Sequence, residues 1–91
     1  MAAYMVTYDL SQPGRNYPGL HERVKAISGI WAHITESSWI VVSSSASASG
    51  IRDDLVQAVD GEDSLFVAEL TGTAAWKGLP AERTDWLKAN L

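Results

Sequence analysis

Residues 3–9, Ala3-Tyr4-Met5-Val6-Thr7-Tyr8-Asp9, decide how this chain is read. The run is dense in aromatic and β-branched side chains, which suit a pleated, packed surface. It stops on an acid and opens into Ser11-Gln12-Pro13-Gly14-Arg15-Asn16, a loop rich in turn-forming residues. Alternation along a strand puts Met5 and Thr7 on one side and Tyr4, Val6 and Tyr8 on the other. Both sides are substantially apolar, as expected of a central strand. In a domain this small, the carboxylate of Asp9 at the strand end is where chemistry would sit.

Working outward, residues 17–28 read as an amphipathic helix. Leu20, Val24 and Ile27 recur at helical spacing, with His21, Arg23 and Lys25 on the outer positions. Asn16 is the expected N-cap, Pro18 suits the first turn and Gly29 suits the stop. Residues 30–35 and 38–43 then read as two strands of a hairpin turning at Glu36-Ser37. No Asn-Gly or Asp-Gly pair marks that turn, so its register is open. Here Trp31 and His33 oppose Ile30, Ala32 and Ile34, and Trp39 and Val41 oppose Ile40 and Val42. The tract Ser43–Ser49 reads as a loop ending in a helix N-cap at Ser47 or Ser49, since it lacks the Gly-rich, Lys-terminated pattern of a phosphate cradle. Ile51, Leu55 and Val59 give a second helix, 60–63 a turn, and 64–70 a last strand. A tail follows, with a short helix expected near 84–90 around Trp86 and Leu87.

The order βαββαβ predicts an α+β, ferredoxin-like domain: a four-stranded antiparallel sheet with two helices on one face and a C-terminal extension. One domain is expected over 1–91, with the core at about 3–70 and the extension at about 71–91. The other sheet face is left open by these two helices. An open apolar face marks a partner surface, and a homodimer, sheet against sheet or closed by the C-terminal tail, is the economical solution.

Composition narrows the function classes. The chain has 91 residues, 46% hydrophobic and 20% charged, with four Trp, three Tyr and no cysteine. It is expected to fold around one modest core, and thiolate metal sites and disulfide scaffolds are excluded. The first residues lack a basic stretch followed by a long apolar one, and no run approaches a membrane span, so a cytoplasmic protein with no membrane partner is expected. The net charge of −4 is uneven: residues 1–35 balance at +1 and residues 36–91 at −5. Nucleic-acid backbones are bound mainly by Lys and Arg, so nucleic acid is disfavoured as a partner.

The strand ending at Asp9, with Pro13-Gly14-Arg15-Asn16-Tyr17 after it, resembles the start of Cas2-like small proteins. It is especially similar to the short bacterial and phage proteins described as SinR-family within the wider Cas2–VapD superfamily. The likeness continues through Trp31-Ala32-His33-Ile34, Ser38-Trp39-Ile40-Val41, Ile51-Arg52-Asp53-Asp54-Leu55 and Val67-Ala68-Glu69-Leu70-Thr71-Gly72 with Ala75-Trp76. It ends at Asp85-Trp86-Leu87. It implies a ferredoxin-like protomer, a homodimer and an accessory role. In Cas2 itself the acid ending the first strand lies near its dimer mate and is linked to metal-dependent nuclease activity in some members, and VapD-type relatives are associated with ribonuclease toxins. The matching residue here is Asp9. The chain departs from Cas2 in lacking an arginine-rich surface and the usual hairpin strand motif.

The candidate residues follow. Asp9 is the catalytic and metal candidate, because a hard carboxylate oxygen suits Mg²⁺; in its structural role it would cap the following loop. Arg15 and His33 are the binding candidates, one for phosphate and one as a general base. Trp31, Trp39 and Trp76 are candidates for a dimer or partner interface, where aromatics are favoured as they are in cores. His21, Asp53-Asp54 and Glu62-Asp63 read as solvated surface. The favoured expectation is a non-catalytic protein-interaction or regulatory module without a cofactor. The alternative is a Mg²⁺-dependent endonuclease using Asp9 paired across a dimer.

Overall fold

The computed structural model describes residues 2–11 and 18–91. Its elements run β1 (Ala2–Asp9), α1 (Pro18–Ala26), β2 (Trp31–Thr35), β3 (Ser38–Ser43), α2 (Ala48–Leu55) with a 3-10 turn over Val56–Ala58, β4 (Ser64–Leu70) and α3 (Ala81–Asn90). The four strands form one antiparallel sheet in the order β2-β3-β1-β4. The α+β class and the antiparallel sheet expected from the sequence are therefore present. The Asn16 cap and Arg15 lie outside the described residues.

Strand β1 is central, paired with β3 from Ala2↔Ser43 to Thr7↔Ser38 and with β4 from Ala3↔Leu70 to Asp9↔Ser64. The two-residue alternation fixes what each face carries. Tyr4, Val6, Tyr8, Trp39 and Val41 meet Leu20 and Val24 of α1 and Ile51 and Leu55 of α2 in the main core. After α1 the chain turns at Gly29, whose N–H bonds back to the Lys25 carbonyl at 3.3 Å and whose φ of +77° lies in the region that favours glycine. Ser47 caps α2 by accepting a hydrogen bond from the Gly50 N–H at 3.1 Å.

The serine tract before α2 is folded, not free. The buried Ser43 hydroxyl accepts from the N–H groups of Ser45 and Ala46, at 3.2 and 3.1 Å. Tyr4 donates its phenol to the Ala46 carbonyl at 2.8 Å. The β2–β3 hairpin also shows why it lacks a two-residue turn signal. Its register shifts between His33 and Thr35, from His33↔Trp39 to Thr35↔Ser38, so a bulge shapes the reversal.

The second sheet face differs from expectation. Helix α3 lies against it, and Leu87 joins Ala3, Ile40 and Val42 in a smaller core flanked by Ile34, Leu70, Leu79, Trp86 and Leu91. The chain thus covers much of the face that its first two helices leave bare. What stays open lies on the β1–β4 side: Met5, Thr7 and Ala68 are half-buried, and Phe66 is 59% exposed. No helix among the described residues is long and apolar enough to cross a membrane.

Leu87 is 2% exposed, so Leu87→Ala should lower unfolding free energy by about 2–4 kcal/mol in a urea titration. A loss below about 0.5 kcal/mol, the range of ordinary surface substitutions, would mean that α3 is not docked on the sheet.

Candidate functional site

Two places gather the residues that chemistry would need, and they lie on opposite faces of the sheet. The first is the end of β1. Asp9 is exposed and continues the Ala3, Met5, Thr7 side of the strand. It lines an open groove of about 360 Å³ with Thr7, Tyr8, Ser64, Leu65 and Phe66. The neighbouring turn is held by Asp63, whose carboxylate accepts from the N–H of Ser11 at 2.7 Å and of Asp60 at 2.8 Å. Asp63 was expected to be solvated surface, yet it ties the chain leaving β1 to the turn entering β4. At Ser11 the backbone N–H is taken by Asp63, while the capping expected of Asp9 over the following loop lies outside the described residues.

The second place is the helix-facing side of β1, β3 and β2, beneath α1. Trp39 is 1% exposed and donates its indole N–H to the Tyr8 hydroxyl at 3.0 Å. The same hydroxyl lies 3.3 Å from His21 Nε2 on α1. The His33 ring stacks on Trp39, with ring centroids 4.0 Å apart and planes 9° from parallel. His33 Nε2 is 3.0 Å from the Glu36 carbonyl, so it is the protonated, donating nitrogen. The two imidazoles are 5.6 Å apart between centroids. Trp31 also packs on Trp39, tilted 55° with centroids 5.4 Å apart, and receives the Lys25 ammonium 5.1 Å from its ring centroid.

Electrostatics in this cluster work against a charge on His21. Its pKa is pushed below the ordinary imidazole value, chiefly by burial, then by the neighbouring His33 and Lys25, with Glu22 opposing. Hydrogen bonding agrees. Tyr8 has one proton to give, and its oxygen already accepts from Trp39. With that proton on His21 Nε2, all three groups are satisfied by a neutral His21 protonated at Nδ1.

The structure therefore separates Asp9 from His33 and joins His33 to His21. His21, expected on the polar side of its helix, is half-buried and is the residue missed from sequence. The signal available was its position beside the buried Leu20, over a strand face already predicted to carry Tyr8. Of the interface candidates, Trp39 is enclosed within the single chain, Trp31 is half-buried at β2, and Trp76 is exposed and donates to Thr84 Oγ1 at 3.2 Å. The acids foreseen as solvated are engaged as well: Asp54 pairs with Arg23 across α1 and α2, and Asp53 with Arg52. Among the described residues no three of His, Cys, Asp and Glu gather as a metal-binding group. No family model matches the chain, and no curated protein matches it.

Tyr8→Phe leaves the Trp39 N–H without its acceptor in a buried setting and should cost about 1–3 kcal/mol of stability. In a double-mutant cycle Trp39→Phe and Tyr8→Phe should lose less together than the sum of their separate losses, because the second substitution removes a polar partner that the first had already orphaned.

Proposed function

We propose that this chain is a non-catalytic protein-interaction or regulatory module, built as a ferredoxin-like, Cas2-like protomer that acts as a homodimer. The strand order β2-β3-β1-β4, with βαβ crossovers on both sides of the β2–β3 hairpin, supports the ferredoxin-like part of this reading. One observation carries the functional part. The β1–β4 half of the second sheet face presents Phe66 to solvent beside Thr7, Met5 and Ala68, while α3 occupies the other half. Aromatic side chains, Phe among them, are enriched at protein contacts relative to the rest of the surface. The acidic surplus of residues 36–91 favours a protein over a nucleic-acid backbone as the thing contacted.

In sedimentation velocity the protein should run as a dimer, and Phe66→Glu should raise the dimer dissociation constant roughly 30-fold or more, since an anchoring aromatic contributes about 2 kcal/mol or more. Single copies at high protein concentration would remove the dimer from this reading.

A second reading is favoured by one feature: Asp9 shares its groove with Phe66. A two-fold contact built on Phe66 would bring two Asp9 carboxylates toward each other. The donor set fits Mg²⁺ to that extent, as one hard oxygen from each copy is what this ion takes from protein, with water filling the remainder. The chain would then be a metal-dependent endonuclease. Asp9→Ala should abolish Mg²⁺-stimulated RNA or DNA cleavage while leaving the dimer intact. Cleavage surviving in the variant, or Asp9 carboxylates farther apart than roughly 4–5 Å when Mg–O bonds are near 2 Å, would end it.

A further inference from the structure

We propose that His21, Tyr8 and Trp39 form a proton-sensitive latch that holds α1 on the sheet at neutral pH and releases it in mild acid. The Trp39 indole N–H gives to the Tyr8 oxygen, and with the His21 proton on Nδ1 the Tyr8 hydroxyl, 3.3 Å from His21 Nε2, gives to that nitrogen. Two of its three members are deeply enclosed, Trp39 in the core and Tyr8 at 7% exposure, so water cannot easily replace a lost partner.

Protonation of His21 reverses the last link. Both imidazole nitrogens then carry hydrogen, and Nε2 must donate where it had accepted. The Tyr8 oxygen would face two donors while its own proton lost its acceptor. That is a conflict of hydrogen-bond polarity, independent of how far the imidazole is shifted. The surrounding charges sharpen it. From α1, Lys25 adds positive charge and Glu22 opposes it; Arg23, on the same helix, is turned to Asp54 of α2. From β2, His33 stands 5.6 Å away and disfavours a charge on His21. From β1 it meets Tyr8 itself, and β3 contributes the uncharged Trp39.

The sign follows from linkage. His21 is held below its ordinary value in the folded chain, so the unfolded chain binds more protons across this range. The latch is complete above the ordinary imidazole value, near 6.5, and is lost as pH falls through the lowered one. The element it controls is α1, joined to the sheet by Leu20 and Val24, by the Lys25 ammonium over the Trp31 ring and by this hydrogen bond. Residue 21 lies in the first turns of α1, so that end of the helix loosens first.

Proton and nitrogen NMR of the intact chain tests the idea. At pH 8 the nitrogen shifts of His21 should report the Nδ1–H tautomer; an Nε2–H tautomer would overturn the latch. Between pH 7.5 and 5 the Trp39 indole N–H resonance should move with the midpoint of His21, below that of an unstructured histidine. His21→Gln offers an acceptor that cannot be protonated, so the step should vanish in it and persist in His33→Gln. A step that survives in His21→Gln sinks the proposal. Should His21→Gln fail to fold, the tautomer of the unaltered protein decides alone.

Discussion

The hydrogen-bonded position of β1 between β3 and β4 is the constraint on which the other contacts rest. A strand paired on both edges cannot shift by one residue without exchanging its two faces. Such a slip would carry Tyr4, Val6 and Tyr8 to the α3 side and bring Thr7 beneath α1. The tyrosines show why the observed register is held. Each buries its ring among the helices, and each finds a partner for its hydroxyl at the rim: Tyr4 at the Ala46 carbonyl, Tyr8 between Trp39 and His21. Burial of the aromatic body and satisfaction of its polar tip are met together only in this register. Helix α2, the serine tract before it and helix α1 are thereby all tied to one strand.

Much of this was legible in residues 3–70, because local periodicity carried it. The strand faces follow from two-residue alternation, and α1 and α2 from Leu20, Val24, Ile51 and Leu55 at helical spacing. Strand β3 is found over the predicted residues, and so is β4. The tail was harder. Helix α3 buries Leu87 in the second core while its neighbours Asp85 and Lys88 stay in water, so it has no broad apolar stripe to announce where it docks. The hairpin register was hidden for a different reason: a bulge between His33 and Thr35 depends on the partner strand. Asp9 could be seen as a strand-end acid from sequence alone. His21 was harder to assign, since its partners Tyr8, Trp39 and His33 become its neighbours only after α1 crosses the sheet.

The distribution of acids also acquires meaning once folded. A surplus of Asp and Glu in residues 36–91 suggests a diffuse negative field, but several of these side chains have local work. Asp63 closes the turn before β4 and holds Ser11; Asp54 joins α2 to Arg23 of α1. The Arg23–Asp54 pair is half in water, so it contributes no more than about 1 kcal/mol and serves chiefly to orient the helices. The β1 end that carries Asp9 therefore also carries Asp63, one position before its paired residue Ser64. Two carboxylates at one end of the sheet attract cations and repel phosphate. A cation between Asp9 and a phosphate would offset that repulsion, which ties the endonuclease reading to its metal.

The placement of α3 changes what a partner would be for. A bare apolar sheet face would make a second copy a requirement for folding, and the folded monomer would scarcely exist. Here Leu87, Leu79, Trp86 and Leu91 supply that burial from within the chain, against Ala3, Ile40 and Val42. The residual patch around Phe66 is confined to the β1–β4 side, and a contact limited to so small a patch would be of the reversible kind. Burial of α1 and α2 on one face and α3 on the other gives the protomer stability of its own. A contact at Phe66 then becomes an equilibrium that concentration, a competing protein or a single substitution can shift, and that is the property a regulatory module needs.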